Sequence, residues 1–146
     1  MDTWSSEPFT LRRASWETDR EALRAIRLQV FVEEQGVPVE LEWDGLDAQA
    51  VHLLAEDRDG RPLGTARLLT SGQIGRMAVL RPWRGRGVGG RLLGEALAIA
   101  LHLPRPWINA QESALDFYRR RGFVPQGEGF MEAGIPHVRM VYMSGM

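Results

Sequence analysis

Between Met77 and Gly90 an apolar stretch runs into alternating glycines and then into a segment with helical periodicity: Met-Ala-Val-Leu-Arg-Pro-Trp-Arg-Gly-Arg-Gly-Val-Gly-Gly. This demands a strand, a tight loop and a helix in immediate succession. Glycine at 85, 87, 89 and 90 lets backbone N–H groups turn inward and lets a ligand approach without a Cβ in the way. Val88, Leu92, Leu93, Ala96, Leu97, Ala100 and Leu101 then share one helical face. The first turn of such a helix offers unsatisfied N–H donors and the positive end of its dipole. Arg84 and Arg86 add charge beside it, so phosphate or pyrophosphate is the expected guest.

Around this segment the pattern is that of an α+β chain. Phe9–Ala14 reads as a first strand. A helix follows from Trp16, with Leu23, Ile26, Arg27, Val30 and Phe31 at helical spacing, and ends at Gly36 and Pro38. Residues 37–48 have no clean period and carry acids at 40, 42, 44 and 47; they read as a loop, with or without a helical turn. Ala50–Glu56, Pro62–Thr70 and Gln73–Leu80 form an antiparallel meander, with turns at Asp57-Arg58-Asp59-Gly60 and Ser71-Gly72. After the helix from Val88, Leu103-Pro104-Arg105-Pro106 is a break. A buried strand at Trp107–Ala110, a helix over Gln111–Arg121 closed by Gly122, and strands at Phe123–Pro125 and His137–Met143 complete the chain. The expectation is a mixed sheet of six to seven strands flanked by helices, in one domain over residues 9–146 after a flexible stretch at 1–8.

Composition removes several function classes. The chain has 146 residues, enough for one core, and no cysteine, which excludes disulfides and a cysteine nucleophile. Histidines at 52, 102 and 137 lack metal-ligand spacing, so no metal is expected. A net charge of −1 gives no basic field for nucleic acid. No apolar run approaches the roughly 18 residues that span a bilayer, and the N-terminus does not read as a signal peptide. A cytoplasmic protein without nucleic-acid or membrane partners is expected, as monomer or homodimer.

All 18 basic side chains are arginine. Without lysine the glycine loop cannot be a P-loop. Gly85-x-Gly87-x-x-Gly90 satisfies the dinucleotide pattern G-x-G-x-x-G, but that fold wants a parallel βαβ unit and an acidic residue about 20 positions on. Here that place holds Asn109-Ala110-Gln111, and the preceding strand closes an antiparallel meander.

Arg84-x-x-Gly87-x-Gly89 resembles the pyrophosphate signature of the GNAT acetyltransferases, Q/R-x-x-G-x-G/A, in its usual place after the fourth strand. Ala114-Leu115-Asp116-Phe117-Tyr118-Arg119-Arg120-Arg121-Gly122-Phe123 resembles the same family's A-x-x-F-Y-x-x-x-G-F segment. Arg27–Gln35, Gly127–Phe130 and Gly134–Met140 are similar to the ElaA-like branch. The resemblance covers nearly the whole chain. It implies a GNAT fold, a meander followed by a splayed parallel pair of strands, and transfer of an acetyl group from acetyl-CoA to a primary amine by direct attack in a ternary complex. It implies that backbone of Met77, Ala78 and Val79 pairs with the pantetheine arm. The N–H groups of Arg84, Gly85, Arg86, Gly87, Val88 and Gly89, with Gly90 beside them, would hold the pyrophosphate. Asn109 would contact the arm, and Tyr118 would be the general acid for the leaving thiolate. A non-catalytic acyl-CoA sensor and a longer-chain acyltransferase remain as alternatives.

A base is harder to place, because Gln73–Val79 contains no carboxylate. Glu33 and Glu34 either face the acceptor cleft or end a solvated helix. His52 reads more readily as a structural histidine than as a base. His137 has a better claim, beside the acceptor site that the resemblance implies. Asp44 and the acidic loop either attract a cationic acceptor or are solvated surface, and Trp43 is either a lid or a satellite of the core.

Overall fold

The structure, a computed structural model, describes residues 8–100 and 105–143. The expectations for residues 1–7, for Leu101 on the helical face and for the break at Leu103-Pro104 lie outside the described residues.

Strands β1 (Phe9–Ala14), β2 (Val51–Asp57), β3 (Pro62–Leu68) and β4 (Ile74–Val79) form an antiparallel sheet in sequence order, in which β2 to β4 match the expected meander and β1 adds to its edge. The β2–β3 turn is tied by Asp57, whose carboxylate accepts from the N–H groups of Asp59 (2.8 Å) and Arg61 (2.9 Å). Successive β2 side chains point to opposite faces. Leu53 joins a core with Leu63, Leu68, Ile74, Phe123 and Met140, while Leu54 joins Leu23, Ile26, Val30 and Phe31 on the other side.

Helix α1 (Trp16–Arg27) supplies the second cluster and continues as a π-helix over Leu28–Glu34. Gly36, at φ 76°, ends it. A four-residue helix α2 (Val39–Glu42) then occupies the segment that lacked a period. Helix α3 (Val88–Ile99) lays Val88, Leu92, Leu93 and Ala96 on the first cluster. Gly64 permits that approach, since a Cβ there would lie 3.1 Å from Val88 Cγ1.

The second half corrects the expected single mixed sheet. Strands β5 (Trp107–Gln111), β6 (Phe123–Pro125), β7 (Phe130–Glu132) and β8 (Ile135–Tyr142) form a separate antiparallel sheet around β8, giving eight strands among the described residues rather than six to seven. β7 was not foreseen. Its hairpin turns on Ala133 and Gly134, both left-handed at φ 53° and 77°. Such a turn is usually signalled by Asn or Asp before glycine, and alanine carries no such signal. β7 is also exposed along its length, so no alternation marks it. The expected helix from Gln111 is shorter too: β5 runs through Gln111, a 3₁₀ turn takes Glu112–Ala114, and α4 spans Leu115–Arg119. Gln73, just before β4, makes one parallel bridge with Trp107 of β5, and the two strands form no ladder. A cleft opens where the two sheets part.

Candidate active site

The cleft has a volume of about 880 Å³ and is lined on one side by Met77, Ala78, Val79, Arg84, Asn109 and Tyr118. Along β4 the Leu80 N–H donates to Leu63 O across the sheet at 2.9 Å, and Val79 faces Gly64. The N–H and C=O of Val79 therefore point away from β3, toward the open edge. An extended ligand can pair there as an added strand would.

β4 leads through a 3₁₀ turn at Arg81–Trp83 into the glycine loop. Gly85 and Gly87 sit at φ 76° and 86°, a region a β-carbon disfavours. Gly87 is the N-cap of α3, and no side chain caps that turn. The first helical bond runs from Arg91 N–H to Gly87 O at 3.1 Å, so the N–H groups of Val88, Gly89 and Gly90 precede the intrahelical ladder. Gly89 and Gly90 also seat α3 on its neighbour: a Cβ would come 3.4 Å from the Phe117 ring and 2.9 Å from Arg121 Nη2 respectively. The Arg86 guanidinium lies over Trp83, 5.0 Å from the ring centroid.

Arg84 is fully engaged. Its Nε donates to Val79 O at 2.8 Å, and its two Nη atoms donate to Glu34 at 2.6 and 2.7 Å. Arg81 is a further partner of Glu34 at 3.2 Å. The Arg84 hydrogen bonds, opposed by some burial, hold the Glu34 carboxyl below the usual carboxylate range. It is Gln35 that reaches the cleft, with Gln111 Nε2 donating to its Oε1 at 3.0 Å.

Tyr118 is buried on α4, with its hydroxyl 3.9 Å from Met77 Sδ. Burial pushes the phenol up to about 12, against a small opposing effect of Arg121. His137 lines the cleft from β8. Its Nδ1–H donates to Ile135 O at 2.7 Å, and since a carbonyl only accepts, the neutral ring keeps its lone pair on Nε2. Phe130 stacks on the ring at 5.9 Å.

His52 lies away from the cleft. It is buried, stacks on Trp16 at 5.1 Å and donates from Nε2 to Asp47 O at 2.8 Å; burial, first of all, pushes its imidazole down. Trp43 packs under Arg24 and Arg27, 5.0 and 5.2 Å from their guanidinium carbons.

At the end of the cleft beyond Met77 the structure assembles residues that sequence reasoning missed. Arg67 and Arg76 line it with Glu42 and Asp44. Arg27, only 1% exposed, donates to Glu42 at 2.7 Å and to Asp47 at 2.8 Å. Glu42 and Asp47 are thus buried ion-pair partners rather than solvated surface. The acids at 42, 44 and 47 share no period with the arginines at 27, 67 and 76, so nothing in the spacing announces the network.

Residues 17–144 match the family model described as "Acetyltransferase (GNAT) domain". A Bacillus subtilis relative, "Uncharacterized N-acetyltransferase YjcF", is 35% identical over 122 residues, covering 80% of this chain and 86% of the relative. An acyl-CoA N-acyltransferase from Pseudomonas aeruginosa superimposes with a TM-score of 0.82 at 33% identity, covering 92% of this chain and 99% of that one. Escherichia coli ElaA superimposes equally well, with a TM-score of 0.82 at 29% identity over 92% and 99% of the two chains. The chain belongs to the GNAT acetyltransferase family, whose domain implies an acyl-CoA donor. Among the described residues no group of three or more ligating side chains is placed to hold a metal ion, and no helix is long and apolar enough to cross a membrane.

Proposed function

We propose that the protein transfers an acetyl group from acetyl-CoA to a primary amine, by direct attack with both partners in the cleft. The observation that carries this reading is the open edge of β4 at Val79 running into a glycine loop and an uncapped helix start, with a buried phenol beside Met77. The backbone of Val79, with Met77 beside it, pairs with the pantetheine arm; Ala78, whose N–H and C=O face Thr65 in β3, lines the cleft without pairing, and Asn109 contacts the arm from β5. The N–H groups of Arg84 to Gly89 take the pyrophosphate, with Gly90 leaving room. The N–H near Val79 also meets the charge that develops on the thioester oxygen during attack.

Tyr118 donates to the sulfur as it leaves. Its proton stays in place through the neutral range, because the phenol is held near 12. A thiol titrates near 8.5, so complete transfer is uphill and the phenol acts chiefly as a hydrogen-bond donor while thiolate charge grows. Nε2 of His137 is the free lone pair on the acceptor side and takes the amine proton. Glu34, engaged by Arg84, acts as counter-ion and not as base.

The test is calorimetric titration with acetyl-CoA, followed by an amine panel with thiol detection. Micromolar binding and amine-dependent thiol release are expected. Binding without thiol release would leave an acyl-CoA sensor, and tighter binding of longer acyl-CoAs would move the donor assignment.

A further inference from the structure

Arg76 sits at a fault in the β3–β4 ladder. Thr65 faces Ala78 and Arg67 faces Gly75, so Arg76 and Met77 together oppose Ala66. The bulge holds Arg76 left-handed at φ 50°. That conformation costs a non-glycine residue about 1 kcal/mol or more and recurs where a side chain is aimed at a ligand. Here it lies in the wall of the cleft, next in the chain to Met77, with the side chain 21% exposed.

Its hydrogen bonds leave much of the guanidinium unused. Nη2 donates to Glu42 O at 3.1 Å and to Asp44 Oδ2 at 3.2 Å. Nε lies 3.0 Å from Glu42 Oε2 but is not aligned with it, and makes no hydrogen bond. Nη1 makes none among the described residues. Arg76 shares its two carboxylates with the other arginines: Asp44 also binds Arg67 at 2.9 and 2.8 Å, and Glu42 also binds Arg27 at 2.7 Å. Three arginines and three acids balance formally, so what Arg76 offers a ligand is an unused donor and not net charge. An unsatisfied buried donor costs about 1–3 kcal/mol. Nε is sealed from solvent and both Nη2 hydrogens are used, so Nη1 is the nitrogen left to meet an anion in the cleft.

We propose that the acceptor amine carries a carboxylate and that Arg76 receives it, which rests on the acetyl-transfer reading of the cleft. A carboxylate oxygen can accept from Nη1 in a charge-assisted hydrogen bond. Leu41, Leu46 and Leu69 line the same cavity and give the rest of the acceptor an apolar wall, so the class is an amino acid with an apolar side chain.

The probes are leucine, 3-methylbutylamine (the same body without the carboxylate) and 4-methylpentanoate (the carboxylate without the amine). The variant is Arg76→Asn, because asparagine tolerates the left-handed backbone and keeps the bulge. The ratio of kcat/KM for leucine to that for 3-methylbutylamine is expected to fall at least tenfold in Arg76→Asn, and less in Arg76→Lys, which keeps the charge. Comparing ratios cancels the different basicities of the two amines. Calorimetry on the CoA-loaded protein is expected to show 4-methylpentanoate binding the wild type and not Arg76→Asn. An unchanged ratio, or 4-methylpentanoate binding that ignores Arg76 or is absent, overturns the proposal. If neither amine is acetylated while Arg76-dependent binding of 4-methylpentanoate persists, the transfer reading fails and the carboxylate site stands.

Discussion

Glu34 and Arg84 meet fork to fork at the edge of the cleft, Nη1 to Oε2 at 2.6 Å and Nη2 to Oε1 at 2.7 Å. The same guanidinium caps Val79 O through Nε at 2.8 Å. A donor that pairs with Val79 and places a pyrophosphate beside Arg84 competes with both contacts. Glu34→Gln is therefore expected to tighten CoA binding several-fold by releasing Arg84. Glu33→Gln, the exposed neighbour, measures the generic effect of removing one negative charge. Calorimetry with CoA at two salt concentrations checks this; an effect no larger than that of Glu33→Gln would show that the pair does not oppose the donor.

The loop depends on the left-handed backbone at Gly87, which has nothing within 4 Å of where a Cβ would stand. A substitution there acts through backbone strain and through the side chain it projects, not through a clash in the core. Gly87→Glu is expected to lower CoA affinity at least tenfold. Far-ultraviolet circular dichroism should remain that of the wild type. Equal affinity in the variant would remove the loop from the donor site.

Among the described residues Tyr118 makes no hydrogen bond shorter than its 3.9 Å contact with Met77 Sδ, so its hydroxyl contributes little to stability. Tyr118→Phe should melt within a few degrees of the wild type and lose on the order of 100-fold in kcat, with donor affinity nearly unchanged. With the phenol held near 12, this group should give the wild-type rate no alkaline limb below about pH 10. A kcat within twofold of wild type would remove the general-acid role.

Much of the proposed donor side was legible because it is local. The strand, the glycines and the helix that follow one another from Met77 to Ile99 act through backbone, and glycine declares itself in any sequence. Tyr118 was placed by the residues around it, and it does line the cleft. Pairings that join distant segments were hidden. Glu34 and Arg84 are 50 residues apart, and neither position specifies the other. Arg76 reads in the sequence as one polar residue in a strand, and only the register fault beside it shows where it is aimed. The β7–β8 hairpin was missed because Ala133 takes a conformation that its side chain does not advertise.

Acid should loosen the acceptor side. Burial pushes the Asp44 carboxyl up, but the Arg67 hydrogen bonds and charge more than reverse this and bring it to about 2 from an ordinary 3.8. A depressed folded-state value means that the stabilisation is complete above the unfolded value and is lost as pH falls from about 3.8 toward about 2. Denaturant midpoints measured across that window should drop, and drop less in Asp44→Asn. An equal fall in both proteins would assign the loss to other carboxylates, such as Asp19, which Arg12 first of all holds at about 2.

Arg27 tests how far the network beneath the cleft supports the fold. Its side chain is 1% exposed, and those of its partners Glu42 and Asp47 are 4% and 7% exposed. Replacing one member of a buried ion pair leaves the other charge without its partner, at a cost of about 3–5 kcal/mol. Arg27→Met keeps much of the volume and should lose stability on that scale in chemical denaturation. Asp47 retains Arg67 at 3.1 Å and Glu42 retains Arg76 at 3.0 Å, which places the loss toward the lower end. Burial pushes the Asp47 carboxyl up, but Arg27 and Arg67 more than reverse this; without Arg27 it protonates more readily, so the deficit relative to wild type should shrink as pH falls. A deficit independent of pH would mean that Arg27 acts through packing against Trp16 and Trp43, whose rings lie 5.9 and 5.2 Å from its guanidinium carbon, rather than through charge.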